Sequence, residues 1–180
     1  MDSVEDIKNN NVKFKTETKG IIISAFSCLG KSYLGQKYGK VLDLEASSYK
    51  WIYFDKELAK DIEKRKGVKD RIVNHDWPEN YLSALAENLL KYRVILITPE
   101  KEIRKILLSR GWSYLLAYPT NPDFVVDRAI KRGNNIEFAE GLKRSFTRWY
   151  PDKSEKVLWI NKNEYLEDVL KKHNILNSLK

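Results

Sequence analysis

Short apolar runs alternate with segments of helical periodicity along most of the chain. Five runs are rich in β-branched and aromatic residues, as strands are, and they span 20–26, 40–44, 93–98, 112–118 and 157–160. Apolar residues at helical spacing between these runs predict helices over 31–38, 78–90, 102–110, 123–131, 136–149 and 164–172. Because strands that alternate with helices form βαβ units, the pattern predicts one α/β domain with helices on both faces of a mostly parallel sheet.

Two stretches depart from this alternation. Residues 1–18 show no clear period, so we interpret them as an N-terminal extension, with one short strand expected at 12–14. Residues 55–74 are strongly charged and predict a helical stretch that is interrupted at Gly67. The sequence holds no internal repeat and no low-complexity linker, so the domain itself is expected over 19–180.

The composition narrows the classes of protein to which the chain can belong. With 42% hydrophobic and 32% charged positions among 180 residues, it can bury a sizeable core and is not expected to be disordered. A single cysteine and two distant histidines exclude a disulfide scaffold and argue against a zinc site. No apolar run approaches the roughly 18 residues of a membrane span, and the polar, acidic start is unlike a signal peptide. We therefore expect a cytoplasmic protein with no membrane partner.

The formal net charge of +8 points to anionic partners. The excess of lysine and arginine is concentrated in 56–71, 91–110 and 128–148. A basic surface of this kind can contact DNA, but solvated helix faces carry the same pattern of charges. Charge alone therefore leaves nucleotides, nucleic acid and acidic proteins open as partners.

The most specific motif is the loop between the first strand and the first helix, with the sequence Ala25-Phe26-Ser27-Cys28-Leu29-Gly30-Lys31-Ser32. It matches a nucleotide phosphate loop in its context and pattern, except that alanine replaces the first glycine. Gly30 lets the backbone approach phosphates closely, and successive amides at a helix N-terminus cradle them. Lys31 is expected to reach the β- and γ-phosphates and Ser32 to hold Mg²⁺, so the loop predicts binding of ATP with Mg²⁺.

Acidic and hydroxyl side chains follow the second strand, at the sheet edge where open α/β sheets bind their ligands. Asp43 is the first candidate to orient or deprotonate an acceptor hydroxyl, or to hold magnesium-bound water, and Glu45 is the second. Ser47 lies in the same cluster, and a solvated strand end or helix N-cap is the alternative for all three. The third strand ends at Thr98 without an acid in the next position, which argues against a motor-type ATPase.

Arginines supply the positive charge that phosphoryl transfer requires. Arg128 and Arg132 lie four residues apart on one face of a predicted helix, just before the glycine- and asparagine-rich stretch 133–135. Arginine stabilises the charge of a transferring phosphoryl group, and a mobile segment can deliver it. A solvated surface stripe is the alternative. Arg104, after the third strand, lies on the same expected ligand side and is a further candidate for phosphate contact.

Aromatic residues are concentrated between the second strand and the helix that begins near Pro78. Trp51 and Trp77 lie there among basic residues, and a nucleobase can stack on such rings with a gain of about 1–3 kcal/mol per base. Packing of the helix against the sheet is the alternative for Trp77. We therefore assign 51–82 as an acceptor-side insert that includes both tryptophans.

These motifs together resemble the P-loop kinase family of nucleoside and nucleotide kinases, over about residues 19–172. The resemblance rests on residues 25–32, on Leu42-Asp43-Leu44-Glu45, and on 127–133 in the position of an arginine-bearing lid. The stretch Glu45-Ala46-Ser47-Ser48 is also similar to one in small kinase-like proteins of bacteriophages. The resemblance implies a three-layer P-loop NTPase fold with a five-stranded core, a lid-like helical segment over 124–149, and phosphoryl transfer from ATP with Mg²⁺ to a small acceptor.

Two hypotheses for the function stay open at this point. The first is an ATP-dependent kinase that acts on a nucleoside, a nucleotide or a modified nucleobase, including a hydroxyl on a base in DNA. The second is a nucleotide- or nucleic-acid-binding interaction protein that uses the same scaffold with little turnover. The basic excess and the incomplete set of acids favour the second, whereas the arginine pair favours the kinase. The sequence specifies neither the acceptor nor the oligomeric state.

Overall fold

The computed structural model describes residues 20–179, and a five-stranded parallel sheet lies at its centre. Its strands, in spatial order, are β2 (Val41–Asp43), β5 (Val94–Ile97), β1 (Ile21–Ala25), β6 (Leu115–Pro119) and β7 (Val157–Ile160). Every neighbouring pair in this order is parallel, so the carboxyl ends of all five strands lie along one edge. The predicted α/β class and the five-stranded core are therefore confirmed.

Helices connect these strands, and their bounds agree with the sequence prediction to within two residues. The longer helices are α1 (Lys31–Lys37), α5 (Glu79–Asn88), α6 (Lys101–Ser109), α7 (Pro122–Lys131), α8 (Ile136–Arg148) and α9 (Leu166–Lys172), and a 3₁₀ turn follows at Asn177–Leu179. Asparagine caps begin two of them. The side chain of Asn121 accepts a hydrogen bond from Asp123 N at 2.7 Å, and that of Asn135 accepts one from Phe138 N at 2.8 Å. Each cap satisfies an amide that would otherwise lack a partner in the first turn.

Alternate residues of the central strands point to opposite faces, so the sheet separates two hydrophobic cores. Ile23 and Ala25 of β1 and Leu96 of β5 face the core under α1, α7, α8 and α9. Ile22 and Ile95 face the core under α5 and α6. None of these five side chains is more than 5% exposed. Since full burial of a large apolar side chain contributes about 1.5–3 kcal/mol, both faces of these strands must be apolar, which explains the unbroken apolar runs in the sequence.

The prediction of a helical stretch over 55–74 is wrong in its second half. The structure forms, in order, α2 (Ser47–Lys50), β3 (Trp51–Tyr53), α3 (Lys56–Lys60), α4 (Ile62–Arg65) and β4 (Arg71–Val73). Strands β3 and β4 pair antiparallel as a separate two-stranded hairpin. Gly67, at φ +78°, adopts a left-handed conformation between α4 and β4, which glycine tolerates at little cost. In strands of only three residues, the alternation of apolar and polar positions is too short to be distinguished from the pattern of a charged helix.

The strand predicted over 112–118 begins and ends later than expected. Trp112 instead forms a turn after α6, where its amide donates to Leu107 O at 2.9 Å. Pro119 belongs to β6 and lies opposite Ile160 of β7. Proline is tolerated there because the next amide, that of Thr120, supplies the hydrogen bond to Ile160 O at 3.0 Å.

Two expectations concern the N-terminal part of the chain. The extension over 1–18 and the strand at 12–14 lie outside the described residues. Between residues 20 and 179, no helix combines the length and the apolar character that a membrane crossing requires.

Candidate functional site

A cavity of about 1130 Å³ opens at the carboxyl edge of the sheet. Single small-molecule sites typically enclose about 300–1,000 Å³, so this cavity is slightly larger than the upper end of that range. Eleven basic side chains line it: Lys31, Lys50, Arg65, Lys66, Lys69, Arg71, Arg128, Lys131, Arg132, Arg144 and Arg148. Five carboxylates accompany them: Asp43, Glu45, Glu63, Glu100 and Glu137. Much of the excess positive charge of the chain is therefore concentrated around one concave surface.

The β1–α1 loop contributes a set of backbone amides to this cavity. Cys28 (φ 61°) and Gly30 (φ 101°) both have left-handed backbone conformations, and left-handed residues within such loops form anion-binding nests. Within the described part of the chain, the amides of residues 27–33 donate no hydrogen bond to another residue. Unpaired backbone amides are costly unless they bind water or a ligand, so the loop is suited to an anion.

The predicted loop residues divide into two groups by exposure. Ala25, Phe26 and Leu29 are fully buried at 0% exposure, so only their backbone atoms are near the loop surface. The cavity is lined by Ser27, Cys28, Gly30, Lys31 and Ser32. Alanine in place of the usual first glycine fits because the methyl group of Ala25 packs into the core beneath the sheet.

Lys31 lies at the end of this loop and forms no ion pair with a carboxylate of residues 20–179. Its Nζ donates to Ala25 O at 2.9 Å and to Phe26 O at 3.1 Å. These two carbonyls hold the ammonium group beside the loop without neutralising it. Lys31 therefore brings a full positive charge to the same wall of the cavity as the free amides.

Cys28 lies in the loop but is not activated there. Burial raises the pKa of its thiol, and the opposing effects of Arg132, Lys31 and Lys66 do not reverse that shift. The thiol is therefore protonated at neutral pH, which favours a passive role. The same effects show that the charges of Arg132 and Lys66 act on the loop alongside that of Lys31.

Ser32 and Asp43 form a pair of oxygen ligands beside the loop. Ser32 Oγ donates to Asp43 Oδ2 at 2.9 Å, and Oδ1 is buried without a hydrogen-bond partner among residues 20–179. Burial raises the pKa of the Asp43 carboxyl, and the Lys31 charge opposes this rise. Mg²⁺ is usually bound by one or two protein oxygens together with phosphates and water, and this pair fits that requirement. Across the described residues, no cluster of three or more His, Cys, Asp or Glu side chains could hold a metal ion by itself.

Glu45 and Ser47 also line the cavity, just beyond Asp43. Glu45 Oε1 accepts from Ser47 N at 3.1 Å, so the carboxylate fixes the turn that follows β2. The buried hydroxyl of Tyr81 donates to Leu44 O at 2.9 Å and accepts from Thr98 N at 3.1 Å. Tyr81 therefore ties the ends of β2 and β5 together, a positioning role that helical spacing alone did not reveal.

Glu100 is a candidate site residue that sequence reasoning missed. It follows the end of β5 by three residues, lines the cavity and pairs with Lys50. Thr98 and Pro99 separate Glu100 from the end of β5. The short turn before α6 nevertheless places the carboxylate of Glu100 at the carboxyl edge of the sheet. One feature of the sequence could have identified Glu100: it follows a buried strand by only a few residues.

The arginine pair of α7 separates into two different environments. Arg128 donates to three backbone carbonyls, Cys28 O at 3.3 Å, Lys162 O at 2.9 Å and Glu164 O at 2.7 Å. Its guanidinium also lies 4.1 Å from the centre of the Tyr165 ring. Arg132, with a side chain 44% exposed, makes one ion pair, to Glu63 at 3.3 Å. Both line the cavity, but Arg128 braces the loop whereas Arg132 can move.

We expect this difference to appear in matched alanine variants. Arg128→Ala removes three charge-assisted hydrogen bonds and should lower the free energy of unfolding by about 2 kcal/mol. Arg132→Ala removes only an exposed ion pair and should cost about 0–1 kcal/mol. Thermal unfolding measured on both variants tests this. Equal loss of stability in the two would contradict the assignment of Arg128 as a brace.

Two predicted site residues lie away from the cavity wall. Arg104 is 1% exposed and is packed beneath the sheet edge, where Nε lies 3.1 Å from Glu155 Oε1 and Nη2 donates to Trp149 O at 2.9 Å. It points inward because it lies on the same buried helix face as Ile103 and Leu107. Trp77 packs on Tyr81 with ring centres 5.3 Å apart. The structure therefore does not bring either side chain to the place where a phosphate or nucleobase was expected, whereas Trp51 does line the cavity.

Comparison with known proteins defines the fold. No protein-family model matches the chain, and no curated protein matches it. It is similar to solved structures of a tunicamycin resistance protein from Deinococcus radiodurans (TM-score 0.52, 12% identity), a gluconokinase from Sinorhizobium meliloti (0.53, 13%) and a sugar kinase from a Janibacter species (0.52, 12%). These matches cover 88–89% of this chain and 93–95% of the others. The chain therefore shares its fold, a five-stranded parallel sheet with helices, with these proteins, at identities that establish nothing beyond the fold.

Proposed function

We propose that the protein is an ATP-dependent kinase that transfers a phosphoryl group to a hydroxyl of a nucleoside, a nucleotide or a modified nucleobase. The observation that carries this proposal is one juxtaposition at the carboxyl edge of the sheet. The free amides of 27–33, the ammonium group of Lys31 and the Ser32–Asp43 pair lie together there. A triphosphate needs all three: backbone donors, a mobile positive charge and an oxygen site for its metal ion.

Each residue has a distinct part in binding the donor. The loop amides and Lys31 bind the β- and γ-phosphates of ATP. Ser32 would hold Mg²⁺, and Asp43 would contact it only through magnesium-bound water. Bound there, Mg²⁺ would neutralise charge that develops on the phosphate oxygens. Arg132 stabilises the transferring group, while Arg128 keeps the loop in shape through Cys28 O.

The carboxylates at the end of β2 serve the acceptor. Asp43 orients the acceptor hydroxyl and accepts its proton, and Glu45 is the second candidate for this role. The raised pKa of Asp43 makes it a stronger base than an exposed aspartate, which suits proton abstraction. Two structural neighbours are named as kinases, one a gluconokinase and one a sugar kinase, which supports phosphoryl transfer as the chemistry of this chain too.

The alternative is a nucleotide- or nucleic-acid-binding protein that hardly turns over. The basic cavity is consistent with this alternative, because a protein can bind phosphates without catalysing a reaction. The buried, unpartnered oxygen of Asp43 favours the kinase, since a carboxylate held beside the loop at the cost of its desolvation can accept the proton of an acceptor hydroxyl.

Release of ADP in the presence of candidate acceptors tests the proposal. The panel consists of deoxynucleosides, their monophosphates, duplex DNA, and glucose with gluconate. At least one acceptor should raise ADP release well above the rate with water. ATP binding without stimulated release by any acceptor, together with salt-sensitive DNA binding, would instead support the binding protein.

Substitution of Asp43 by asparagine separates catalysis from stability. We expect Asp43→Asn to lower turnover more than tenfold, with ATP affinity little changed, because the variant cannot accept a proton. Glu45→Gln is the matched control and should have the smaller effect. Unaltered turnover in Asp43→Asn would remove Asp43 from the mechanism.

The same variant should be more stable than the natural chain at pH 7. Burial raises the pKa of Asp43 above its ordinary value of 3.8, so ionisation of this carboxyl opposes folding at neutral pH. That cost is fully present above the raised pKa and disappears as the pH falls towards the ordinary value. The melting temperature of Asp43→Asn should therefore exceed that of the natural chain at pH 7, and the difference should shrink towards pH 4. A lower melting temperature at pH 7 would contradict this.

A further inference from the structure

A second group of positive charges lines the cavity away from the phosphate loop. Arg65 ends α4, in the connection between β3 and β4, and Arg71 begins β4. We call these two the hairpin arginines. Both line the cavity, and the hydrogen bonds that their side chains make within residues 20–179 go to residues 48–59 and not to the β1–α1 loop.

Arg65 is buried to an unusual degree for an arginine without a carboxylate partner. Its residue is 5% exposed, and within residues 20–179 no carboxylate lies within ion-pair distance of it. Nη1 donates to Ala59 O at 3.2 Å and Nη2 to Ser48 Oγ at 3.1 Å, while Nε is buried with no hydrogen-bond partner among the described residues. A buried charge of this kind is costly unless a ligand compensates it.

Arg71 lies against two aromatic rings, one of which Arg65 also contacts. Its guanidinium lies 4.0 Å from the centre of the Trp51 ring, and Nη1 donates to the Tyr53 hydroxyl at 3.3 Å. Arg65 also lies against the Tyr53 ring, with its guanidinium 5.5 Å from the ring centre. These contacts with aromatic rings and the hydrogen bonds of both side chains restrain the two guanidinium groups before any ligand arrives, so less conformational entropy is lost on binding.

The carboxylates of the cavity are engaged elsewhere. Their partners are Ser32 for Asp43, the amide of Ser47 for Glu45, Lys66 and Arg132 for Glu63, Lys50 for Glu100, and Lys69 for Glu137. Arg144 and Arg148 of α8 also line the cavity without a carboxylate partner in the described part of the chain. The positive charge that stays uncompensated therefore exceeds what the phosphates of one donor nucleotide near Lys31 require.

We infer that the acceptor carries an anionic group of its own, a phosphate monoester or a carboxylate, which the hairpin arginines bind. This inference rests on the proposed kinase function and narrows its acceptors to charged ones. Two oxygens of such a group match the donor fork of a guanidinium, and Arg65 and Arg71 offer two forks side by side on Tyr53. A terminal group that enters the cavity can reach the buried Arg65, whereas the backbone of duplex DNA runs across a surface.

Matched pairs of compounds test binding independently of turnover. The pairs are a deoxynucleoside with its 5′-monophosphate and glucose with gluconate, titrated by calorimetry without ATP. The Lys31→Ala variant is used so that the phosphate loop contributes little. The charged member of at least one pair should bind at least about tenfold more tightly than the neutral one, and the pair that responds identifies phosphate or carboxylate.

Arg71→Gln added to this variant should abolish that preference. Arg71→Lys, which keeps the charge but not the fork, should retain part of it. Arg110→Gln is the control, because Arg110 is paired with Glu79 outside the cavity and should leave the preference intact. Arg65→Gln provides a second test, and the melting temperature of each variant shows whether it has folded.

The same pairs serve as acceptors for the natural chain. The charged member should be the better acceptor, and Arg71→Gln should raise its KM at least about tenfold with a smaller change in kcat. Equal affinity for the neutral and charged members, a preference that survives both arginine substitutions, or binding of duplex DNA alone would overturn the inference. No ADP release with any acceptor, alongside an intact Arg71-dependent preference, would instead contradict the proposed kinase function and leave the anion site standing.

Discussion

Replacement of Lys31 by alanine is expected to lower acceptor-stimulated ADP release at least about 100-fold. Lys31 is the basic residue whose ammonium group is held at the phosphate loop by Ala25 O and Phe26 O, 2.9 and 3.1 Å away. Removal of one preorganised donor to developing charge typically costs about 10²–10³ in rate. Loss of the charge should also weaken ATP binding, because in the proposed complex Lys31 would contact the phosphates before as well as during transfer.

Lys37 offers a matched control on the same helix. It lies at the other end of α1, where it pairs with Glu167 at 2.7 Å and its side chain is 41% exposed. Lys37→Ala should therefore leave turnover unchanged and cost at most about 1 kcal/mol of stability. Similar turnover in Lys31→Ala and Lys37→Ala would contradict a role for the loop in phosphoryl transfer.

The second large effect concerns stability. Arg104→Ala is expected to lower the free energy of unfolding by about 3–5 kcal/mol, because it leaves Glu155 as a buried charge without its partner. The two side chains are 1% and 5% exposed, so solvent screens their interaction little. In a chain of this length 1 kcal/mol corresponds to about 2–4 °C, so the melting temperature should fall by roughly 10 °C. ADP release per folded molecule should not change, because Arg104 does not line the cavity.

Two further variants make this expectation specific. Arg110→Ala removes an arginine whose ion pair with Glu79 is exposed, and should cost no more than about 1 kcal/mol. Arg104→Met combined with Glu155→Leu removes both buried charges, and should restore most of the lost stability. If Arg104→Ala lost ATP or acceptor binding while its melting temperature stayed unchanged, the assignment of Arg104 as a structural residue would be contradicted and a role in ligand binding supported.

The sequence was sufficient to locate the five strands and the loop between β1 and α1. The binding of phosphate by that loop stays a prediction. Strands buried on both faces must be apolar throughout, so β1 and β5 are visible as unbroken apolar runs. A loop that binds phosphate needs glycine and lysine at fixed positions, which Gly30 and Lys31 satisfy locally. The similarity to bacteriophage proteins and the nucleotide-type acceptor stay predictions.

The other features depend on contacts between distant parts of the chain. A charged residue in an amphipathic segment can lie on either face, and only the packing of α6 shows that Arg104 is buried against Glu155. The charged residues of 55–74 likewise predict a solvated helix from the sequence alone. The pairing of β3 with β4 places Arg65 and Arg71 in the wall of the cavity. The two strands are too short to be predicted from the sequence, so this placement could not be predicted either.

A structure of the protein with Mg²⁺ and a non-hydrolysable ATP analogue tests the central claim most directly. The account predicts that the triphosphate lies within hydrogen-bond distance of the amides of residues 27–33 and of Lys31 Nζ, with Mg²⁺ next to Ser32 Oγ and on the side of Asp43. A triphosphate bound elsewhere in the cavity, with Lys31 still hydrogen-bonded to Ala25 O and Phe26 O, would contradict it.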